Sequence, residues 1–141
     1  QTANWVQTEA YTVMETIIQA QGAENIKGVI CGNDTMAMGV IEACLNAGMT
    51  DVIVMGFDTN RWALRELQAG NWNYDGQCSP YQAQVISDMI QQLEAGETPE
   101  QQVYMTEQWF TNGDVVPEFS VDGEAQEMTV VDQTVLDARA Y

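Results

Sequence analysis

Two apolar runs of strand length each carry a glycine at or next to their end, meet a polar residue and then pass into a helical pattern. The first, Val29-Ile30-Cys31-Gly32, is followed by Asn33-Asp34-Thr35-Met36-Ala37-Met38-Gly39; the second, Val52-Ile53-Val54-Met55-Gly56-Phe57, by Asp58-Thr59-Asn60. Near-continuous apolar runs suit parallel strands covered on both faces. Alternation of such strands with helical patterns predicts βαβ units with right-handed crossovers. The expected fold is therefore α/β, a parallel sheet with helices on both faces. In an open sheet of this kind, ligands meet the protein beyond the carboxyl ends of the strands. Asn33 and Asp58 fall at that position, side by side at one mouth.

In chain order, Trp5 to about Gln21 reads as the first helix, with Val6, Ala10, Val13, Met14, Ile17 and Ile18 on one stripe and Gly22 as its stop. Ile26 to Cys31 is the first strand. The second helix runs from about Asp34 to Asn46, capped by Asn33 or Asp34. Val52 to Phe57 is the second strand, Asp58 to about Gln68 the third helix, and Trp72 to Gln77 a third strand. Ser79-Pro80 opens a fourth helix, because Ser caps well and Pro is tolerated at the first helical position. Val85, Ile86, Met89, Ile90 and Leu93 form its stripe, and Gly96 ends it. Gln101 to Thr106 is expected as strand, residues 107–120 as loop with an Asn112-Gly113 turn, Gln126 to Val131 as strand, and Val135 to Tyr141 as a short helix.

The chain has 141 residues, 45% of them apolar, enough for a core in one domain. Four Lys and Arg stand against 21 Asp and Glu, a formal charge of −17. Such a surface repels phosphate backbones and anionic membranes, which argues against nucleic acid as a partner. No apolar run is long enough to insert in a membrane. The chain starts Gln1-Thr2-Ala3-Asn4-Trp5, without an initiator Met or a signal peptide, and reads like the middle of a longer chain.

Histidine is absent, which removes the commonest general base and metal ligand. Cys31, Cys44 and Cys78 lack CxxC spacing, so neither a zinc site nor a redox pair is expected. Neither GxGxxG nor GxxxxGK[ST] occurs, so no nucleotide or other cofactor is expected. Without a nucleophile–base pair, an enzyme is disfavoured.

What remains is binding chemistry. Asn33 supplies a donor and an acceptor, Asp58 two acceptor oxygens, and Gln77 another amide at the end of the third strand. Trp5 supplies a flat apolar face. A sugar ring presents C–H groups on one face and hydroxyls around its edge, and these side chains match both. Each residue also has a plainer reading: Asn33, Asp34 and Asp58 as helix caps, Trp5 as a core residue or hydrophobic staple.

The landmarks Ala3-Asn4-Trp5, NDxMAxG at Asn33 to Gly39, GFD at Gly56 to Asp58 and Q-x-x-P at Gln77 to Pro80 occur in an order that resembles the second half of periplasmic sugar-binding proteins of ABC transporters. The ribose- and galactose-binding type is the nearest match, over residues 3 to about 96. The resemblance implies that Trp5 stacks on a sugar while Asn33, Asp58 and Gln77 bond its hydroxyls. It implies two lobes that close on the ligand, an ABC permease as partner, and a periplasmic or extracellular location, lipid-anchored in a Gram-positive source. LacI-type sugar-sensing regulators are the alternative in the same family; the Pro they often carry before the GFD strand is absent here. The implied division is 1–78 as one lobe, 79–100 as a helix packing on the other lobe, 101–116 as a returning strand and hinge, and 117–141 as a tail without assigned role. With half the cleft supplied elsewhere, this chain alone is expected to bind ligand weakly or not at all.

Overall fold

The computed structural model describes residues 1–113, 119–121 and 123–141. The elements are α1 (Gln7–Gln21), a 3-10 turn (Ala23–Asn25), β1 (Gly28–Ile30), α2 (Asp34–Asn46), β2 (Ile53–Asp58), α3 (Arg61–Gln68), β3 (Tyr74–Gln77), α4 (Ala83–Glu94), β4 (Trp109–Thr111), β5 (Phe119–Val121), β6 (Glu124–Gln126), β7 (Met128–Val130) and α5 (Gln133–Ala138). Strands β1, β2, β3, β4 and β7 form one sheet in that order, and β5 and β6 form an antiparallel pair. The fold is α/β, a mostly parallel sheet flanked by helices. β1, β2 and β3 are parallel; β4 runs antiparallel to β3, and β7 is parallel to β4.

One apolar core joins Met14 of α1, Val40, Ile41 and Cys44 of α2, Val54 of β2, Leu64 and Leu67 of α3, Trp72, Phe110 of β4 and Leu136 of α5. α1 and α2 pack closely because Gly39 has no side chain: a Cβ there would collide with the carbonyl oxygen of Gln7. By register, Ile30, Ile53, Met55 and Val130 share the opposite face of the sheet from Val54 and Phe110. Ile30 is 76% exposed, and Ile53 and Val130 are about half exposed.

Several element boundaries differ from expectation, each for an identifiable structural reason. α1 begins after Trp5, because Asn4 and Trp5 sit at positive φ in a turn closed by Val6 N–H donating to Ala3 O at 2.9 Å. α3 begins at Arg61 rather than Asp58, because Asp58 and Thr59 have φ of 114° and 57°. α4 begins at Ala83 rather than Ser79-Pro80. The Ser79 hydroxyl accepts from Tyr81 N–H at 3.2 Å, so its oxygen closes a turn instead of capping a helix. β3 begins at Tyr74, since Trp72 turns into the core against Trp62 and Asn73 Oδ1 accepts from Val54 N–H.

The strand expected at 101–106 forms instead at Trp109–Thr111, inside the expected loop. The ladder to β3 starts there, with Gln77 N–H donating to Gln108 O at 2.9 Å, while Val103 and Tyr104 stay exposed. The last strand and helix occur as Met128–Val130 and Gln133–Ala138. The rest of the expected 107–120 loop, and the hinge and tail segments, extend over 114–118 and 122, outside the described residues. α4 stands apart: none of its residues is buried, and Ile86, Ile90 and Leu93 are 50–60% exposed.

Two stability measurements check this packing. Leu64→Ala, at a fully buried side chain, is expected to cost about 2–5 kcal/mol in urea unfolding. Leu93→Gln on the exposed stripe is expected to change stability by no more than about 0.5 kcal/mol. Thiol titration of the native chain is expected to find one reactive cysteine, the exposed Cys78. Burial pushes the Cys31 thiol up to about 12 and also raises Cys44.

Candidate functional site

The ends of β1, β2 and β3 lie side by side, so the residues that follow them form one shelf. Asn33 follows β1 and caps α2. Its backbone is extended, and its Oδ1 accepts from Met36 N–H at 2.8 Å. The cap reading is therefore realised, and it occupies only the oxygen. Asn33 Nδ2 makes no hydrogen bond among the described residues and is left as a donor. Trp5 lies over the neighbouring residue: a Cβ on Gly32 would sit 3.3 Å from its ring. The indole is 66% exposed, so it is neither core nor staple but a plate held at the edge of the shelf.

Asp58 and Gln77 are register partners at the ends of β2 and β3. The Asp58 carboxylate is half-buried and makes no hydrogen bond among the described residues, and burial raises its pKa. Asp58 does not cap α3, which starts three residues later. Gln77 is committed at both ends: Oε1 accepts from Gln108 N–H at 3.0 Å, and Nε2 donates to the Tyr141 hydroxyl at 3.1 Å.

Sequence reasoning missed the residues beneath and beside the shelf. Asp34 is fully buried and accepts from both Asn60 N–H and Asn60 Nδ2 at 2.9 Å, pinning the β2–α3 loop that carries Asp58. Its signal was the second half of the Asn33-Asp34 pair, where one residue suffices as a cap. Tyr141 and Arg139 close the far side. Tyr141 O accepts from Arg61 N–H, the Tyr141 ring packs edge-on against Tyr81, and the Arg139 guanidinium lies between the Phe110 and Tyr141 rings. With Gln108 and Val135 they line a pocket of about 300 Å³ next to Gln77. No local pattern connects residue 141 to residue 77.

The shelf thus offers a free carboxylate, a free amide donor and an aromatic plate. Among the described residues there is no group of three or more Cys, Asp or Glu side chains that could hold a metal ion, and no helix is long and apolar enough to cross a membrane.

A family profile described as "Periplasmic binding protein domain" matches residues 1–98. The chain belongs to this family. It is 56% identical over 70 residues to a D-apiose import binding protein of Actinobacillus succinogenes, covering 50% of this chain and 22% of that protein. It is 42% identical over 71 residues to the D-allose-binding periplasmic protein of Escherichia coli, again 50% and 22%. Among solved structures, an ABC transporter periplasmic solute binding protein of Actinobacillus succinogenes with bound D-allose superposes with a TM-score of 0.68 at 26% identity, covering 77% of this chain and 39% of that one. The matched segment is thus about a fifth of the curated relatives' length. These relatives are binding proteins for import rather than enzymes or regulators, so the LacI-type alternative is not favoured.

The capping oxygen of Asn33 and its Nδ2 group separate by mutation. Asn33→Ala removes the cap and is expected to cost about 1 kcal/mol in thermal unfolding. Asn33→Ser keeps a capping oxygen and is expected to hold stability to within a few tenths, while removing the Nδ2 donor.

Proposed function

We propose that this chain supplies one lobe of a solute-binding protein that captures a small sugar between two lobes and delivers it to an ABC importer. The observation that carries this is the shelf itself: Trp5 over Gly32 beside the cap at Asn33, and Asp58 unbonded beside Gln77 at adjoining strand ends. An exposed aromatic plate desolvates the C–H face of a sugar ring, and the Asp58 carboxylate and Asn33 Nδ2 pair with hydroxyls at its edge. Gln77 takes part through its amide when Tyr141 yields its bond. Unmatched polar groups inside a closed cleft cost about 1–3 kcal/mol each, which is the source of selectivity.

Residues 1–78 form the ligand-bearing lobe in this reading. α4, within 79–100, packs its exposed Ile86, Ile90 and Leu93 stripe on the second lobe, and 101–116 returns through the hinge. Ligand favours the closed state by contacting both lobes, the usual linkage between binding and a hinge motion. The whole protein then works in the periplasm or extracellular space, with the importer's permease as its partner, lipid-anchored in a Gram-positive source. The names of the relatives, which concern D-apiose and D-allose, support a monosaccharide as the ligand class.

The test is thermal unfolding of the whole two-lobed protein against pentoses, hexoses and polyols. A sugar at about 100 times its Kd is expected to stabilise it by about 2.7 kcal/mol, and Asp58→Ala is expected to abolish the shift. A panel without any shift overturns the sugar reading. By calorimetric titration, the 141-residue chain alone is expected to bind that sugar weakly or not measurably.

A further inference from the structure

Asp34 and Asp75 are both fully buried, yet among the described residues three of their four carboxylate oxygens lack a well-formed hydrogen bond: Asp34 Oδ1 and both oxygens of Asp75. The two side chains approach one another over Gly56. A Cβ on Gly56 would lie 3.0 Å from Asp34 Oδ1 and 3.6 Å from Asp75 Oδ1, so the glycine leaves the room they occupy. The groups facing the pair come from α2, β2, β3 and the β2–α3 loop. Asp58 is an acid as well, and Asn60 and the Thr59 backbone N–H are neutral donors. No cation acts on the pair among the described residues. Two carboxylates buried together without a cation cannot both ionise. A single proton removes the difficulty, because a protonated Asp75 becomes a donor and Asp34 Oδ1 is an acceptor without a partner.

We propose that Asp75 is a neutral carboxylic acid that donates its proton to Asp34 Oδ1, and that this acid–carboxylate link positions the loop bearing Asp58. The connection is direct. Asp34 Oδ2 holds Asn60 through two bonds at 2.9 Å, and Asp58 and Thr59 immediately before it adopt positive φ. A residue other than glycine holds such a conformation only where its surroundings enforce it. With the proton in place, Asp34 keeps both the loop and β3. Without it, a second buried charge pushes Asp75 away from Asp34 and loosens the anchor. Burial supports this: with the charges of Asp34 and Asp58 beside it, Asp75 is raised to about 9, while burial and the Asp58 charge raise Asp34 to about 6 against the hydrogen bonds from Asn60 and Asp75.

The link matters for ligand capture through the reading of Asp58 given above, but the proton is tested without any sugar. Asp75 binds its proton more tightly in the folded than in the unfolded chain, where it titrates near about 3.9. The contribution of the Asp75 proton to stability is therefore fully present below the unfolded value and is lost as pH rises through the folded value of about 9. The experiment is a carbon NMR titration of the aspartate carboxyl groups in the full chain, with amide signals followed in parallel. One carboxyl is expected to remain protonated above neutral pH and to titrate near 9, with the Asn60 side-chain amide moving at the same midpoint. Asp75→Asn, which keeps a donor toward Asp34, is expected to remove that signal and flatten the pH dependence of the unfolding midpoint. In Asp34→Asn, which offers an amide to Asp75, the high titration is expected to shift down. If every aspartate titrates in the ordinary carboxylate range, the shared proton is refuted. If the proton is present but the Asn60 amide ignores it, the positioning role is refuted. Neither result depends on whether a sugar binds.

Discussion

The shelf depends on one buried carboxylate. Asp34 Oδ2 accepts two hydrogen bonds from Asn60, a residue 26 positions away, and so ties the start of α2 to the loop between β2 and α3. That tie joins the two strand ends that matter. Just before Asn60, Asp58 at the end of β2 and Thr59 in the loop have positive φ, a conformation that costs free energy for residues with a Cβ and persists only when its surroundings fix it. It also delays α3 until Arg61, which frees the Asp58 carboxylate from capping duty. Asn33 and Asp34 divide the labour: the first satisfies the amide of Met36, and the second, one residue on and fully buried, holds the opposite loop.

The surrounding packing keeps this arrangement rigid. Gly39 lets α1 approach α2 at backbone distance, which holds α1, and the turn carrying Trp5 before it, against the end of β1. Gly56 serves a similar purpose in the sheet, since any Cβ there would press on Asp34. Leu64, Leu67 and Trp72 anchor α3 and the approach to β3 in the same core. A shelf on strand ends needs such support, because functional geometry is held best by rigid elements beneath the loops.

The strand–helix alternation was legible because its signal is local: apolar runs, caps and glycine stops all fall within a few residues of one another. The positions of Asn33, Asp58 and Gln77 at strand ends followed from the same pattern. What was not legible was set by partners distant in sequence. Ser79-Pro80 carries the chemistry of a helix start, yet Ser79 accepts from Tyr81 N–H and its own N–H bonds Glu107, 28 residues on. Residues 101–106 have strand composition, but the ladder to β3 begins at Trp109, so they remain outside the sheet. The engagement of Gln77 by Gln108 and Tyr141 is non-local in the same way. Nothing local marks Asp75, a polar residue in a short strand; the register that sets it opposite Gly56, facing Asp34, is what makes it unusual.

Charge explains why such a buried acid pair is not compensated by a cation. With four basic residues against 21 acidic ones, cations are scarce. Those that contact the described core are already used: Arg61 pairs with Asp137 at 3.5 Å, and Arg139 lies between two aromatic rings. A protein so acidic has two ways to place a carboxylate inside a core, neutral hydrogen-bond donors or a proton. Asp34 uses the first, through Asn60. Asp75, facing Asp34 with the Thr59 backbone amide as its neutral donor among the described residues, uses the second. The same scarcity leaves the Asp58 carboxylate at the shelf without a cation partner among the described residues.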